Sequence, residues 1–251
     1  MHTNIKEFYQ VLEQISIQND QQISKLTDLA KVKAENLLQL ADDTQNFNSI
    51  LCVGFSIVPY GLALEGYDVH VTGCDGQYTK FINRIGATDL KITEIDLPLD
   101  QISSGKYDLV LALDQYTTYC DGPDDQLKKL EELSKVTGKT LVTTLRDYKN
   151  IKSSERIIDS PFSLRHNTGT SIFVNYNDWS REDKQAWVNT AYIIHEDELF
   201  KLGPVPRRTM YFKQLAKFTT DFGATNFIVH KTNMYKPLFS KTYEYVITIN
   251  Y

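Results

Sequence analysis

The chain of 251 residues contains three cysteines, Cys52, Cys74 and Cys120, with no pair at metal-ligand spacing. An odd count, with two of them inside apolar runs, excludes a disulfide framework and reads as reduced thiols of a core or strand end. The five histidines, His2, His70, His166, His195 and His230, are scattered, so no zinc motif is formed. A Walker phosphate loop is also missing. No apolar run approaches the length of a bilayer span, and the first residues lack the basic, apolar and small-residue parts of a secretory signal. The expectation is a soluble, cytoplasmic protein without membrane contact. An excess of positive charge is lacking as well. Lys and Arg number 27 against 32 Asp and Glu, for a net charge of −5, so no global basic field attracts nucleic acid and only a local patch remains open.

What is present is a hydrophobic fraction of 41% with 12% aromatics, the composition of a packed domain that needs no disulfide or metal to bury its core. The chain is organised around Ser49 to Gln77. Ile50, Leu51, Cys52 and Val53 form an apolar run of the kind a fully buried parallel strand shows. Gly54 permits a sharp turn, Leu62 to Leu64 begin a short helix that Gly66 ends, and Val69 to Cys74 predict a second strand finishing on Asp75. In such a βαβ unit the first turn aims backbone N–H groups at a ligand, and an acid about 20 residues further on reaches ribose hydroxyls.

The alternation continues. Gln77 to Gly86 predict a helix with Tyr78, Phe81, Ile82 and Ile85 on one face. Leu90 to Leu97 predict a strand ending near Asp96, and Tyr107 to Tyr116 the clearest buried strand. A helix through Leu127, Leu130, Leu133 and Val136 is closed by Gly138, and Thr140 to Leu145 form a fifth strand. From Tyr148 to Pro206 the pattern changes. Ser171 to Asn177 and Ala186 to His195 alternate about the charged turn Ser180 to Gln185, as a hairpin does. A helix over Thr209 to Gly223 and two strands, Asn226 to His230 and Tyr243 to Ile249, close the chain; with no helix between them those strands pair antiparallel. Before the first strand, residues 3–43 carry apolar positions at helical spacing (Ile5, Phe8, Leu12, Ile15, then Ile23, Leu26, Leu29, Val32 or Lys33, Leu37, Leu40), with Asn19 and Asp20 as the break between two helices.

The expected architecture is therefore α/β: a doubly wound, Rossmann-like, seven-stranded sheet with a terminal antiparallel hairpin, N-terminal helices and a β-rich insertion. Residues 1–48 are the helical extension and 49–251 the main domain, with the insertion at 152–206. This order of elements resembles that of the class I S-adenosylmethionine-dependent methyltransferases, over residues 49–251. Two segments, Thr144 to Asn150 and Arg207 to Phe218, are also similar to methyltransferase-like proteins of large tailed marine phages, which implies a host cytoplasm as the location.

The resemblance implies S-adenosylmethionine as cofactor. Gly54 matches the first loop glycine, with Phe55 and Ser56 following it; Asp75 matches the ribose-binding acid, and Asp96, followed by Leu97, the adenine-side acid. Asp114, Gln115 and Tyr116 match the motif beside the transferred methyl. Two departures stand out. The family's G-x-G-x-G run here reads Gly54, Phe55, Ser56, Ile57, Val58, and Cys52 replaces an acid usual two residues before the first glycine. The strand end Asp114, Gln115, Tyr116, Thr117 also lacks the Asn/Asp-Pro-Pro-Tyr signature of amino-methylating nucleic-acid enzymes.

From the residues alone, Asp75 reads as a ribose ligand or a solvated strand-end acid, Asp96 as an adenine contact or an ordinary turn, and Asp114 as an acceptor for a nucleophile's proton or a loop cap. Arg146 and Lys149 follow the fifth strand at the ligand edge. Arg207 and Arg208 either hold an anionic substrate group or pair with surface acids. Two functions follow. One is methyl transfer to a small molecule or an exposed macromolecular group, with the insertion selecting the acceptor. The other is a catalytically silent scaffold that binds a protein through residues 1–43.

Overall fold

The computed structural model describes residues 20–42, 47–113, 116–118, 120, 123–146, 157–158, 162–166, 169–179, 186–195, 198–208, 210, 212–231 and 244–251. The first expected helix, within residues 3–18, and the turn at 180–185 lie outside them. So do Asp114, Gln115 and Lys149.

Helix α1 (Asp20–Asp42) leads into strand β1 (Ile50–Val53), helix α2 (Val58–Leu64), β2 (Val69–Thr72), α3 (Gln77–Arg84), β3 (Ile92–Ile95), β4 (Tyr107–Ala112), α4 (Pro123–Val136) and β5 (Thr137–Arg146). Strands β6 (Ile157–Ile158), β7 (Phe162–His166), β8 (Gly169–Trp179), β9 (Ala186–His195) and β10 (Glu198–Arg208) follow, then α5 (Phe212–Asp221), β11 (Asn226–Lys231) and β12 (Glu244–Asn250). Seven strands form one sheet in the order β11-β12-β5-β4-β1-β2-β3. Strands β1 to β5 are parallel, whereas β12 runs antiparallel to both β5 and β11. The expected doubly wound sheet with its terminal antiparallel hairpin is what the chain adopts.

Because successive strand residues face opposite sides, Ile50 and Cys52 enter one core and Leu51 and Val53 the other. The first core is closed by α1, α2 and α3 through Ala30, Ala34, Leu37, Leu62, Tyr78 and Phe81. The second is closed by α4 and α5 through Leu130, Leu133 and Leu215. The buried stripe of α1 runs through Ala30, Ala34, Leu37 and Ala41, while Leu29 and Val32, expected to be inward, are about half exposed. Small residues win because α1 crosses α2 closely. A Cβ on Gly61 would stand 2.1 Å from the carbonyl oxygen of Ala30, and the Thr27 and Tyr60 hydroxyls bond at 3.0 Å beside the crossing.

Several boundaries differ from the sequence expectation. Helix α2 starts at Val58, not Leu62, since Pro59 pre-sets the first helical turn. Strands β2 and β4 end at Thr72 and Ala112, short of Cys74 and Tyr116. Gly138 is not a helix stop but lies within β5, where a Cβ would meet the Gly105 carbonyl oxygen at 2.9 Å. The insertion holds a five-stranded antiparallel sheet, with β10, β9, β8 and β6 in that order and β7 also paired to β8, rather than a lone hairpin. No helix among the described residues is long and apolar enough to cross a membrane.

Candidate functional site

All five parallel strands point their carboxyl ends to one edge, and the sequence-predicted residues that the structure describes in the main sheet gather there. Gly54 leaves β1 with φ +82°, a conformation open to glycine at little cost. Its N–H donates to the Thr72 carbonyl at 2.9 Å, joining the ends of β1 and β2. Gly73 lies against the same place, since a Cβ on it would be 3.6 Å from the Gly54 nitrogen.

Phe55, and Ser56 and Val58 where the related motif has glycines, turn away into the fold. Phe55 joins an aromatic cluster, its ring 5.5 Å from Tyr78 and 5.6 Å from Phe81. Ser56 is buried, and its hydroxyl accepts the Val58 N–H at 3.3 Å. Val58 is fully buried in the first core, so its side chain is a packing element there. The loop thus keeps one open backbone position, Gly54. Over it lies Tyr116, in the short 3₁₀ turn Tyr116–Thr118 after β4, with Cδ2 3.1 Å from where a Gly54 Cβ would stand. The Lys129 ammonium stands over the Tyr116 ring, 5.7 Å from its centroid. Burial, with the Glu132 and Asp125 carboxylates adding negative charge nearby, pushes the Tyr116 hydroxyl above the ordinary phenol range, so it stays protonated.

Asp75 is exposed at the tip of the turn after β2, and Asp96 is exposed just past β3. These neighbouring tips are tied together: the Thr72 hydroxyl donates to the Leu97 carbonyl at 2.7 Å, and Glu94 of β3 accepts from Gly76 and Thr79 at the start of α3. Leu97 is 45% exposed, an apolar surface beside the Asp96 carboxylate. Gln77 is buried, yet its Oε1 has no donor among the described residues, and the same holds for the buried Thr117 Oγ1. Buried oxygens of this kind ordinarily find a partner, and a bound polar molecule is one source.

Sequence reasoning missed Glu94, Thr79, Thr72 and Gln77. The signal for Glu94 was its spacing, on a strand that ends just before Asp96 and two residues ahead of that acid, together with a helix start at Gly76 that has no capping side chain of its own. Arg146 ends β5 at the same sheet edge, paired in register with Glu244. Arg207 and Arg208 are the last residues of β10, opposite Trp187 and Ala186 in the insertion sheet. Two residues on, Met210 is buried in the second core, against which Tyr116 also packs.

Cys52 and Cys74 are buried, and burial, reinforced for Cys52 by Cys74 and for Cys74 by Glu94 and Asp75, raises both thiols far above the ordinary range. Neither is a nucleophile at neutral pH. No group of His, Cys, Asp and Glu among the described residues is arranged to hold a metal ion.

No protein-family model and no curated protein matches the chain. Solved structures do. The CcbJ methyltransferase from Streptomyces caelestis has 15% identity and a TM-score of 0.67, over 89% of each chain. An S-adenosylmethionine-dependent methyltransferase from Clostridium acetobutylicum has 12% identity and a TM-score of 0.64, over 98% of each chain. The sugar N-methyltransferase KedS8 from Streptoalloteichus has 10% identity and a TM-score of 0.60, over 86% of each chain. At these identities the likeness is one of fold, and it covers between 86% and 98% of each of these chains.

Proposed function

We propose that the chain is an S-adenosylmethionine-dependent methyltransferase acting on a small molecule. The observation that carries this reading is the pair of exposed acids, Asp75 and Asp96, on adjacent strand tips that are bonded to one another beside Gly54. A ribose needs a carboxylate that accepts from two hydroxyls, and an adenine needs an acceptor for its amino group next to an apolar surface. Asp75 supplies the first, while Asp96 and the exposed Leu97 side chain supply the second. Gln77 Oε1, buried without a donor two residues past Asp75, offers a further acceptor for a hydroxyl. The nucleoside half of the site therefore fits the cofactor.

The methionine half is reached over Gly54, where the ring of Tyr116 stands. Phe55 and Ser56 contribute backbone there, because their side chains are engaged elsewhere. When bound, S-adenosylmethionine supplies an activated methyl group for in-line displacement, so alignment of the acceptor provides most of the catalysis. Asp114, Gln115 and Tyr116, following β4, are the residues assigned beside that methyl. Arg146 and Lys149, after β5, and Arg207 and Arg208, at the end of β10, are assigned to the acceptor. The small-molecule acceptor is favoured by the net charge of −5, which does not steer the chain to nucleic acid, and by the structural likeness to a sugar N-methyltransferase. Free, buried cysteines suit a reducing cytoplasm.

The test is thermal unfolding with and without ligand, followed by transfer of a labelled methyl group to a panel of amino and hydroxyl acceptors. Saturating S-adenosylmethionine or adenosine raises the midpoint by several degrees, as a ligand of the native state does, and free methionine does not. No shift with either nucleoside, or labelling of no acceptor by a protein that binds, rejects the enzyme.

A further inference from the structure

The turn that carries Asp75 has a geometry most residues avoid. Gly73, Asp75 and Gly76 all have positive φ, at +74°, +51° and +77°, and Asp75 is the one non-glycine residue of that sign among the described residues. A side chain is crowded there by the following carbonyl, so such a residue persists where its surroundings hold it. The hold comes from the neighbouring strand. One carboxylate oxygen of Glu94 accepts the Gly76 N–H at 2.8 Å, and the other accepts the backbone N–H of Thr79 at 2.8 Å and the Thr79 hydroxyl at 2.7 Å. Gly76 is the N-cap of α3 and Thr79 its third residue. In an ordinary helix start those two N–H groups are satisfied reciprocally by the side chains of the same two positions. Gly76 has no side chain, and a single carboxylate from β3 serves both.

Glu94 of β3 also precedes Asp96 by two residues, and the Thr72 hydroxyl anchors the segment just past that strand through the Leu97 carbonyl. One strand thus fixes both acidic tips. We propose that Glu94 is a positioning residue for cofactor binding: it pins the turn so that the Asp75 carboxylate is presented to the ribose at a fixed separation from Asp96. The inference rests on the S-adenosylmethionine reading above. Glu94 does not itself meet the ligand, because its two oxygens are committed to three donors. Without it, two N–H groups and a hydroxyl lose their acceptor, and Asp75 is released toward ordinary backbone geometry.

The experiment is calorimetric titration of the full chain with S-adenosylhomocysteine, for the wild type, Glu94→Gln, Asp75→Ala and the double variant. Glutamine keeps the length of the side chain but sets an amide nitrogen against an N–H donor. Glu94→Gln should weaken binding about tenfold and Asp75→Ala about tenfold or more, while the double variant binds within about twofold of Asp75→Ala alone, because the one residue acts through the other. Amide exchange at Gly76 and Thr79 should accelerate in Glu94→Gln without ligand, and that at Leu111 in the core of β4 should not. Thr79→Val repeats the test from the helix side with Glu94 intact: a weakening of about threefold, absent in the Asp75→Ala background. Losses that multiply in the double variants, or wild-type affinity in Glu94→Gln, overturn the positioning role while leaving the cofactor assignment standing. Failure of the wild type to bind overturns the cofactor reading and the inference with it.

Discussion

Tyr116 lies with Cδ2 3.1 Å from the point where a Cβ on Gly54 would stand. The first turn after β1 is therefore closed on its open side by an aromatic ring from the turn after β4. Gly54→Ala meets two obstacles, a φ of +82°, which costs a side chain roughly 1–2 kcal/mol, and contact with the ring. Tyr116→Ala removes the ring at a cost of about 3 kcal/mol in lost packing. The contact part of the Gly54→Ala penalty disappears in the double variant, so the two destabilisations should sum to more than the double variant shows. Urea unfolding of the four proteins checks this; strict additivity means the ring does not cover Gly54 in solution.

Gly61 is a second position where no side chain fits, for a different reason. A Cβ would stand 2.1 Å from the backbone oxygen of Ala30 and 3.0 Å from the Cβ of Ala34. Backbone cannot swing aside as a long side chain can. Gly61→Ala should push α1 from α2 and destabilise the chain by about 3 kcal/mol, measured by denaturant midpoint. The exposed Leu29→Ala on the outer face of α1 should change stability by less than about 1 kcal/mol.

How much of this was legible depends on the kind of signal. The parallel strands announce themselves as apolar runs such as Ile50 to Val53 and Tyr107 to Ala112, because strands buried on both faces admit little else. The terminal pair follows from two β-rich runs whose short connecting sequence carries no helical pattern. What the chain conceals is anything decided by a partner distant in sequence. Ala30 and Ala34 look like weak core residues beside Leu29 and Val32 until Gly61 is set against them. Gly138 looks like a helix stop until Gly105 is seen to crowd it. Glu94's role depends on Gly76 and Thr79, at the start of α3, being brought against β3.

His230 sets a pH dependence. The Thr248 hydroxyl gives its proton to the Leu40 carbonyl at 3.0 Å, so the His230 Nε2 at 3.0 Å must donate to Thr248. Partial burial lowers the imidazole's pKa below its ordinary 6.5. The unfolded chain therefore takes up a proton at a pH where the folded chain does not. Stability is complete above pH 6.5 and declines as pH falls from there through the folded value. His230→Gln, which keeps a donor for Thr248, should flatten that decline, by less than about 1 kcal/mol because the ring is only half-buried. Unfolding measured between pH 5 and 7.5 provides the check; an unchanged slope assigns it to another group.

The cysteines give a chemical test of the packing. Cys52 and Cys74 are each 2% exposed and Cys120 1%, and burial keeps the first two as thiols. Iodoacetamide at neutral pH should label none of the three in the native protein and all three in guanidinium, as read by intact-mass spectrometry. Prompt native labelling would place a thiol at the surface.

The measurement that bears most directly on the central claim is calorimetric titration of the purified chain with S-adenosylmethionine and S-adenosylhomocysteine. The acidic tips at Asp75 and Asp96, beside the backbone of Gly54, predict saturable binding to one site in the micromolar range, lost in a variant carrying Asp75→Ala and Asp96→Ala together. Absence of binding at millimolar ligand, from a chain that unfolds cooperatively, would contradict it: the ring of Tyr116 would then be a permanent closure of the loop, and the fold would be serving something other than methyl transfer.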